Sequence, residues 1–211
     1  MPLTVPVSVV VCTDGRCRSL AMLHAALARQ THRVFEVIYV VGPSADGTHE
    51  MVSQWAGRQP VKVLQCPERN LSRARNLGIR AASGALVAFI DDDAVPEPEW
   101  LANLSKAFAR PGTGGAGGAV FDPTGVDYQF LSSVADRLGN AHHEYGYLLE
   151  EQDYPFSALF HHAMGANCMF ARKPLVEAGG FDEEYEYYLE ETDLCCRLVD
   201  AGYRIVQRHD A

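Results

Sequence analysis

The sequence predicts an α/β protein: a doubly wound, mostly parallel sheet with helices on both faces. Short runs of β-branched and aromatic residues alternate with segments whose apolar positions recur at helical spacing. That succession makes parallel strands joined by right-handed crossovers. The runs are apolar nearly throughout rather than at every second position, as in strands buried on both faces. Size sets the organisation. The 211 residues, 47% hydrophobic and 21% charged, suffice for one compact domain and exclude disordered and fibrous classes.

Val7–Cys12 (VSVVVC) is the first strand. Leu20, Leu23 and Leu27 then share one face of a helix that ends near Gln30. Phe35–Val41 (FEVIYVV) is the second strand, stopped by Gly42, Pro43, Ser44 and Asp46-Gly47. Met51, Val52 and Trp55 mark a second helix, and Val61–Leu64 a third strand. A helix over Ser72–Ala82, a strand over Ala85–Ile90 and a helix beginning at Pro96–Trp100 follow. Beyond residue 110 the pattern loosens. Gly112–Gly118 (GTGGAGG) reads as flexible or tightly turned chain, and residues 122–162 carry only weak helical signals. A strand at Asn167–Ala171, a short helix stopped by Ala178-Gly179-Gly180 and a helix from Glu190 to Ala201 complete the series.

Charge and composition narrow the function. Eighteen Lys and Arg against 27 Asp and Glu leave a formal charge of −9, without the basic footprint that nucleic-acid binding requires. No apolar run approaches the roughly 20 residues that span a bilayer, and no basic n-region precedes the first strand. A cytoplasmic location is expected, with no integral membrane segment in this chain; peripheral attachment at the inner membrane face stays open. The six cysteines show no CxxC pair, which fits a reducing compartment. His142-His143 and His161-His162 are the only zinc-ligand candidates and weigh little as such.

Open α/β sheets bind ligands beyond the carboxyl ends of their strands. Three strand ends carry chemistry: Thr13-Asp14-Gly15-Arg16, Gly42–Thr48 with Asp46, and Asp91-Asp92-Asp93. Three adjacent carboxylates repel one another and persist more easily beside a cation. Mg²⁺ or Mn²⁺ suits carboxylate oxygen and completes its shell with water and phosphate. In extended chain Asp91 and Asp93 face one way and Asp92 the other. An acidic turn capping the next helix is the alternative. Arg69, Arg73 and Arg75 gather at a helix start, where guanidinium groups and free N–H groups hold phosphate, or else simply face solvent. Glu190-Glu191-Thr192-Asp193 opens the last helix, either as complement to its dipole or as the source of a general base.

Taken in order, these motifs resemble glycosyltransferase family 2, the inverting enzymes with a GT-A fold. The resemblance rests on Val7–Arg16, Gln30-Thr31, Ser44–Thr48, Ala74-Arg75-Asn76-Leu77-Gly78 and Ala88–Asp93 with Pro96 and Trp100-Leu101. Gly165-Ala166-Asn167, Gly179–Glu183 and Glu190–Leu194 extend it over nearly the whole chain. It implies sugar transfer from a nucleotide-diphosphate sugar to an acceptor hydroxyl on a glycan, a lipid-linked sugar or a small molecule. Residues 1–110 would form the nucleotide-sugar half, and 111–211 the acceptor and catalytic half. Asp91 and Asp93 match the DxD motif, with Asp93 as metal ligand and Asp91 near donor and metal. Thr13, Asp14, Arg16, Asp46, Arg75 and Asp92 fall on the donor side, Asn167 and Asp193 on the acceptor side. Glu191 falls at the general base, with Glu190 as the alternative.

The departures lie in the nucleobase pocket. Asp14 replaces the family's usual aromatic residue and Val41 its usual Asp, so the resemblance implies a nucleotide-sugar without fixing uracil. The family's further metal-ligating His would fall beyond Ala211, which implies that the chain is C-terminally incomplete. Tyr128, Tyr145, Tyr147, Phe156 and the two His pairs are expected to line the acceptor side. A nucleotide-sugar-forming nucleotidyltransferase and a non-catalytic nucleotide-sugar or glycan-binding module are the competing readings.

Overall fold

The computed structural model describes residues 5–56, 60–142 and 155–211. The first half alternates as the sequence predicts: β1 (Val7–Thr13), α1 (Cys17–Leu27), β2 (Phe35–Val41), α2 (Thr48–Trp55), β3 (Val61–Gln65), α3 (Leu71–Ala81), β4 (Leu86–Ile90) and α4 (Trp100–Lys106). The second half adds β5 (Thr113–Gly118), β6 (Val120–Phe121), β7 (Tyr128–Phe130), β8 (Val134–Asp136), β9 (Ala141–His142) and β10 (Leu159–His161). It closes with β11 (Asn167–Ala171), α5 (Arg172–Glu177), α6 (Glu190–Asp200) and β12 (Arg204–Arg208). Seven strands form one sheet in the order β12-β5-β11-β4-β1-β2-β3. All neighbours are parallel except β11, which runs against both β4 and β5.

Alternate residues of one strand feed two cores, which is why β1 is apolar nearly throughout. Val9 and Val11 join Leu20, Leu23, Tyr39, Leu101 and Leu104, and so meet α1 and α4. Val10 joins Ile79, Phe89, Phe170, Leu175 and Leu194 against α3, α5 and α6. Helices therefore cover both faces. Gly78 lets α3 lie directly on β1, since any Cβ there would overlap the Val10 side chain.

Two expectations are corrected. Of the glycine-rich run 112–118 only Gly112 is turned; Thr113–Gly118 is a fully buried strand inside the sheet. Its glycines make room rather than bend the chain. A Cβ on Gly115 would come within 2.8 Å of the Phe170 ring and 2.9 Å of Ile205, and one on Gly114 within 2.7 Å of Tyr203. The segment 122–162 holds no helix among its described residues. Its β7 pairs antiparallel with β6 just before it, and β8, β9 and β10 form a small sheet in the order β10-β8-β9. Among the described residues no helix is long and apolar enough to cross a membrane.

Candidate active site

β1, β2 and β4 end on one rim of the sheet, and antiparallel β11 begins there, with Asn167 opposite Ile90. The rim thus collects the turns after Thr13, Val41 and Ile90 together with Gly165-Ala166. α6 adds its first turn. Its entry is unusual, because Leu189 has φ +71°, a left-handed conformation that costs a non-glycine residue of order 1 kcal/mol or more.

α3 holds that entry in place. The Asn76 amide donates to Phe181 O at 2.8 Å and accepts from Phe181 N at 2.9 Å. Asn70 caps α3 by accepting from Arg73 N at 2.7 Å, and its amide donates to Glu183 O at 2.9 Å. Ser72 Oγ donates to Tyr185 O, and Leu71 N donates to Glu186 O at 2.7 Å. Sequence reasoning gave Asn70, Ser72 and Asn76 no role. The Asn before an amphipathic run was the available signal, for the cap alone.

The acidic segment is a turn rather than extended chain, closed by Ala94 N donating to Asp91 O at 3.2 Å; Asp91 and Asp93 are exposed and Asp92 is buried. Arg16 bridges Asp93 and Asp92, the latter at 3.2 Å. Burial pushes the Asp92 carboxyl up, opposed by Thr13 and Arg16. Asp91 stays open on one side while surrounding protein raises its pKa, an effect that Arg75 counters. Among the described residues no three His, Cys, Asp or Glu side chains gather as a metal cluster. An ion completed by water and phosphate needs only one or two carboxylates, and Asp91 and Asp93 are oxygen donors suited to it.

The other expected donor residues sit on the same rim with protein partners. Thr13 ends β1 and is buried. Asp14 pairs with Arg69 at 2.8 Å. Asp46 accepts from Thr48 Oγ1 at 2.6 Å and Thr48 N at 3.1 Å, fixing the start of α2; the Thr48 bonds hold its pKa down. Arg75 is buried, with Nη1 donating to Glu190 Oε1 at 2.7 Å.

The α6 carboxylates differ sharply. Glu190 is 2% exposed, and burial followed by the neighbouring Glu191 charge pushes its carboxyl up. Glu191 is less enclosed and accepts from Gly165 N at 3.3 Å. Burial works to raise Glu191 too, but Arg75 and His162 hold it below the ordinary carboxylate range. Behind it His162, expected from the sequence as a weak zinc candidate and, with His161, on the acceptor side, is buried as His161 is, and bridges Ser133 Oγ at 3.2 Å and Thr192 Oγ1 at 3.1 Å.

The expected acceptor-side residues serve the scaffold. Asn167 is buried, accepting from Trp100 Nε1 at 2.7 Å and donating to Ala119 O at 2.8 Å. Asp193 pairs with Arg197 at 2.6 Å, and Arg197 donates to Ala178 O and Gly180 O, tying α6 to the paired glycine turn. Tyr128 and Phe156 are exposed, Tyr128 stacked on Phe121 at 4.6 Å. His143, Tyr145 and Tyr147 lie outside the described residues.

Comparison with known proteins agrees with this geometry. Residues 8–178 match the family described as Glycosyl transferase family 2. The chain is 30% identical to O-antigen biosynthesis protein RfbC of Myxococcus xanthus over 96% of its own length and 16% of that protein. It is 26% identical to glucosyl-dolichyl phosphate glucuronosyltransferase of Haloferax volcanii, over 97% of this chain and 67% of the relative. Among solved structures, mannosyltransferase PcManGT from Pyrobaculum calidifontis, in complex with GDP-Man and Mn²⁺, superposes with a TM-score of 0.77 at 22% identity, covering 99% of this chain and 56% of that one. S. aureus TarS 1-349 in complex with UDP-GlcNAc gives 0.70 at 20% identity, covering 98% and 56%. The chain thus spans about half the length of these solved chains and a smaller part of RfbC. With this fold, a GT-A fold, and a family match running from the first strand to the paired glycine turn, the chain belongs to glycosyl transferase family 2.

Proposed function

We propose that this chain transfers a sugar from a nucleoside-diphosphate sugar to an acceptor hydroxyl, in a single displacement that inverts the anomeric carbon. The observation that carries the reading is the meeting, on one sheet rim, of an open acidic turn and an ionised carboxylate at the start of α6. Relatives bearing glycosyltransferase names, and neighbours holding GDP-Man or UDP-GlcNAc, support the donor class.

Glu191 is the general base. Its lowered pKa keeps it ionised at neutral pH, ready to take the acceptor hydroxyl's proton as oxygen attacks the anomeric carbon. The transition state is oxocarbenium-like, similar to that of glycoside hydrolysis. Gly165 N–H orients Glu191. Glu190, enclosed and paired with Arg75, is withdrawn from the acceptor. Asp91 and Asp93 would hold Mn²⁺ or Mg²⁺, which when bound neutralises the diphosphate and the charge that grows on it as it leaves.

The test pairs two variants with two readouts. Asp93→Ala is expected to abolish Mn²⁺-dependent binding of a nucleotide-sugar, read by calorimetry. Glu191→Gln is expected to leave binding intact and to remove release of nucleoside diphosphate. Full binding by Asp93→Ala would refute the metal assignment, and full turnover by Glu191→Gln the base. Release of pyrophosphate from a nucleoside triphosphate would favour nucleotidyl transfer instead.

A further inference from the structure

Arg75 lies behind the α6 carboxylates rather than in front of them. Its side chain is 5% exposed and that of its partner Glu190 is 2% exposed. The guanidinium carbon stands 5.1 Å from the Phe181 ring centre and 5.8 Å from that of Phe89, so aromatic faces occupy space that a phosphate would need. Gly165 closes the remaining side. A Cβ there would come within 2.5 Å of Arg75 Nη2 and 3.2 Å of Glu191 Oε1, so bare backbone is what lets cation and carboxylate approach one loop together. Two carboxylates share this cation away from bulk water, and a buried charge left alone is costly.

We propose that Arg75 is a positioning residue for the transfer step: it anchors Glu190, holds Glu191 in place as an anion, and does not contact the donor diphosphate. The inference rests on the reading of Glu191 as base. Among the described residues, charged and titratable groups from several elements act on Glu191. Arg75 comes from α3, Glu190 from α6, His162 from the chain after β10, Asp91 from the turn after β4 and the Cys168 thiol from β11. Of these, Arg75 is the largest favourable influence on the Glu191 charge. The Phe181–Asn76 bonds tie α3, which carries the guanidinium, to the chain that leads into α6 and its glutamates.

The test separates support of the carboxylates from contact with the donor. Glutamate carboxyl carbons are isotope-labelled and titrated by NMR in metal-free protein, with the Glu191 signal assigned by its loss in Glu191→Gln. In Arg75→Gln the Glu191 midpoint is expected to rise by about one unit or more, and in Arg75→Lys to return most of the way. Affinity for UDP and GDP in the presence of Mn²⁺, read by calorimetry, is expected to stay within about threefold of the parent. Should Arg75→Gln fail to fold, the double variant Arg75→Gln/Glu190→Gln removes both members of the buried pair and is measured in its place. An unmoved Glu191 midpoint, or a loss of nucleotide affinity of about tenfold or more, overturns the proposal. If neither nucleotide binds the parent protein, the donor reading fails while the NMR titration still decides the role of Arg75.

Discussion

Arg16 lays its guanidinium on Asp93 and, at 3.2 Å, on Asp92, so the acidic turn already carries a cation supplied by the entry to α1. Both Arg16 and Asp93 are more than half exposed, and an exposed pair of this kind contributes little to stability. Its consequence is competition for the Asp93 oxygen. Arg16→Gln is expected to bind Mn²⁺ alone several-fold more tightly, by titration without nucleotide, at an unchanged melting temperature. Unchanged or weaker binding would show that Arg16 does not occupy the ion's place.

Glu36 gives the fold an acid-sensitive joint. Its carboxylate accepts from Ser8 Oγ at 2.7 Å, Ser83 N at 2.8 Å and Ser83 Oγ at 2.7 Å, and pairs with Lys62 at 2.8 Å. Burial pulls its pKa upward, but these partners outweigh burial and bring it from 4.5 to about 2. Because the folded value is the lower one, the stabilisation is fully present above the unfolded value. It is lost as pH falls from about 4.5 toward about 2. Glu36→Gln is expected to lower neutral-pH stability by roughly 2–3 kcal/mol and to flatten the acid limb, as read by urea unfolding at a series of pH values.

Asn167 holds the rim together rather than standing open on it. Its amide joins α4, the chain after β5 and Ala211 beyond β12 by accepting from Trp100 and donating to Ala119 O and, at 3.2 Å, to Ala211 O. Asn167→Ala leaves these groups unpaired in a buried setting and is expected to cost about 2–4 kcal/mol in chemical denaturation. A folded, equally stable variant defective only in acceptor KM would reassign the residue to substrate.

Two glycines of one run should respond differently. Gly115→Ala pushes a methyl group into Phe170 and Ile205 inside the sheet, so a loss of about 2 kcal/mol or more is expected. Gly112 has φ +83° and open space where a Cβ would stand, so Gly112→Ala meets only backbone strain, about 1 kcal/mol. Equal melting temperatures for the two variants would contradict this packing account.

β1, β2 and β4 were legible because burial on both faces writes itself as nearly unbroken apolar runs, whereas edge strand β3 and helix α2 showed through Val61, Val63 and Leu64 and through Met51, Val52 and Trp55. β5 was not legible. Composition marks glycine as conformational freedom, whereas here Phe170 and Ile205, distant in sequence, require the missing side chains. The described strands of the 120–161 region have two or three residues each, too short for a period to show. At the site, residue types were readable but their orientations were not. Arg75 read as one of three arginines at a helix start, placed to hold phosphate or to face solvent, whereas in the fold Glu190, Phe89 and Phe181 enclose it. Glu190 and Glu191 are adjacent and chemically identical. Only the helix rotation, which turns one inward and leaves the other beside Gly165, tells them apart.

The reversed direction of β11 has a further consequence. β5 and β4 both finish on the active rim, and β11, running against each, starts from it. The chain between Gly118 and Asn167 therefore departs and returns through the same doorway, as an overgrown hairpin between two bonded neighbours. Its exposed outer part around β6 and β7 can drift without shifting any strand of the platform, whereas Ala135, Phe160 and Ala163 enter the core and His162 bonds to α6. On the proposed reading of the rim, that outer part is where one framework takes up different acceptors.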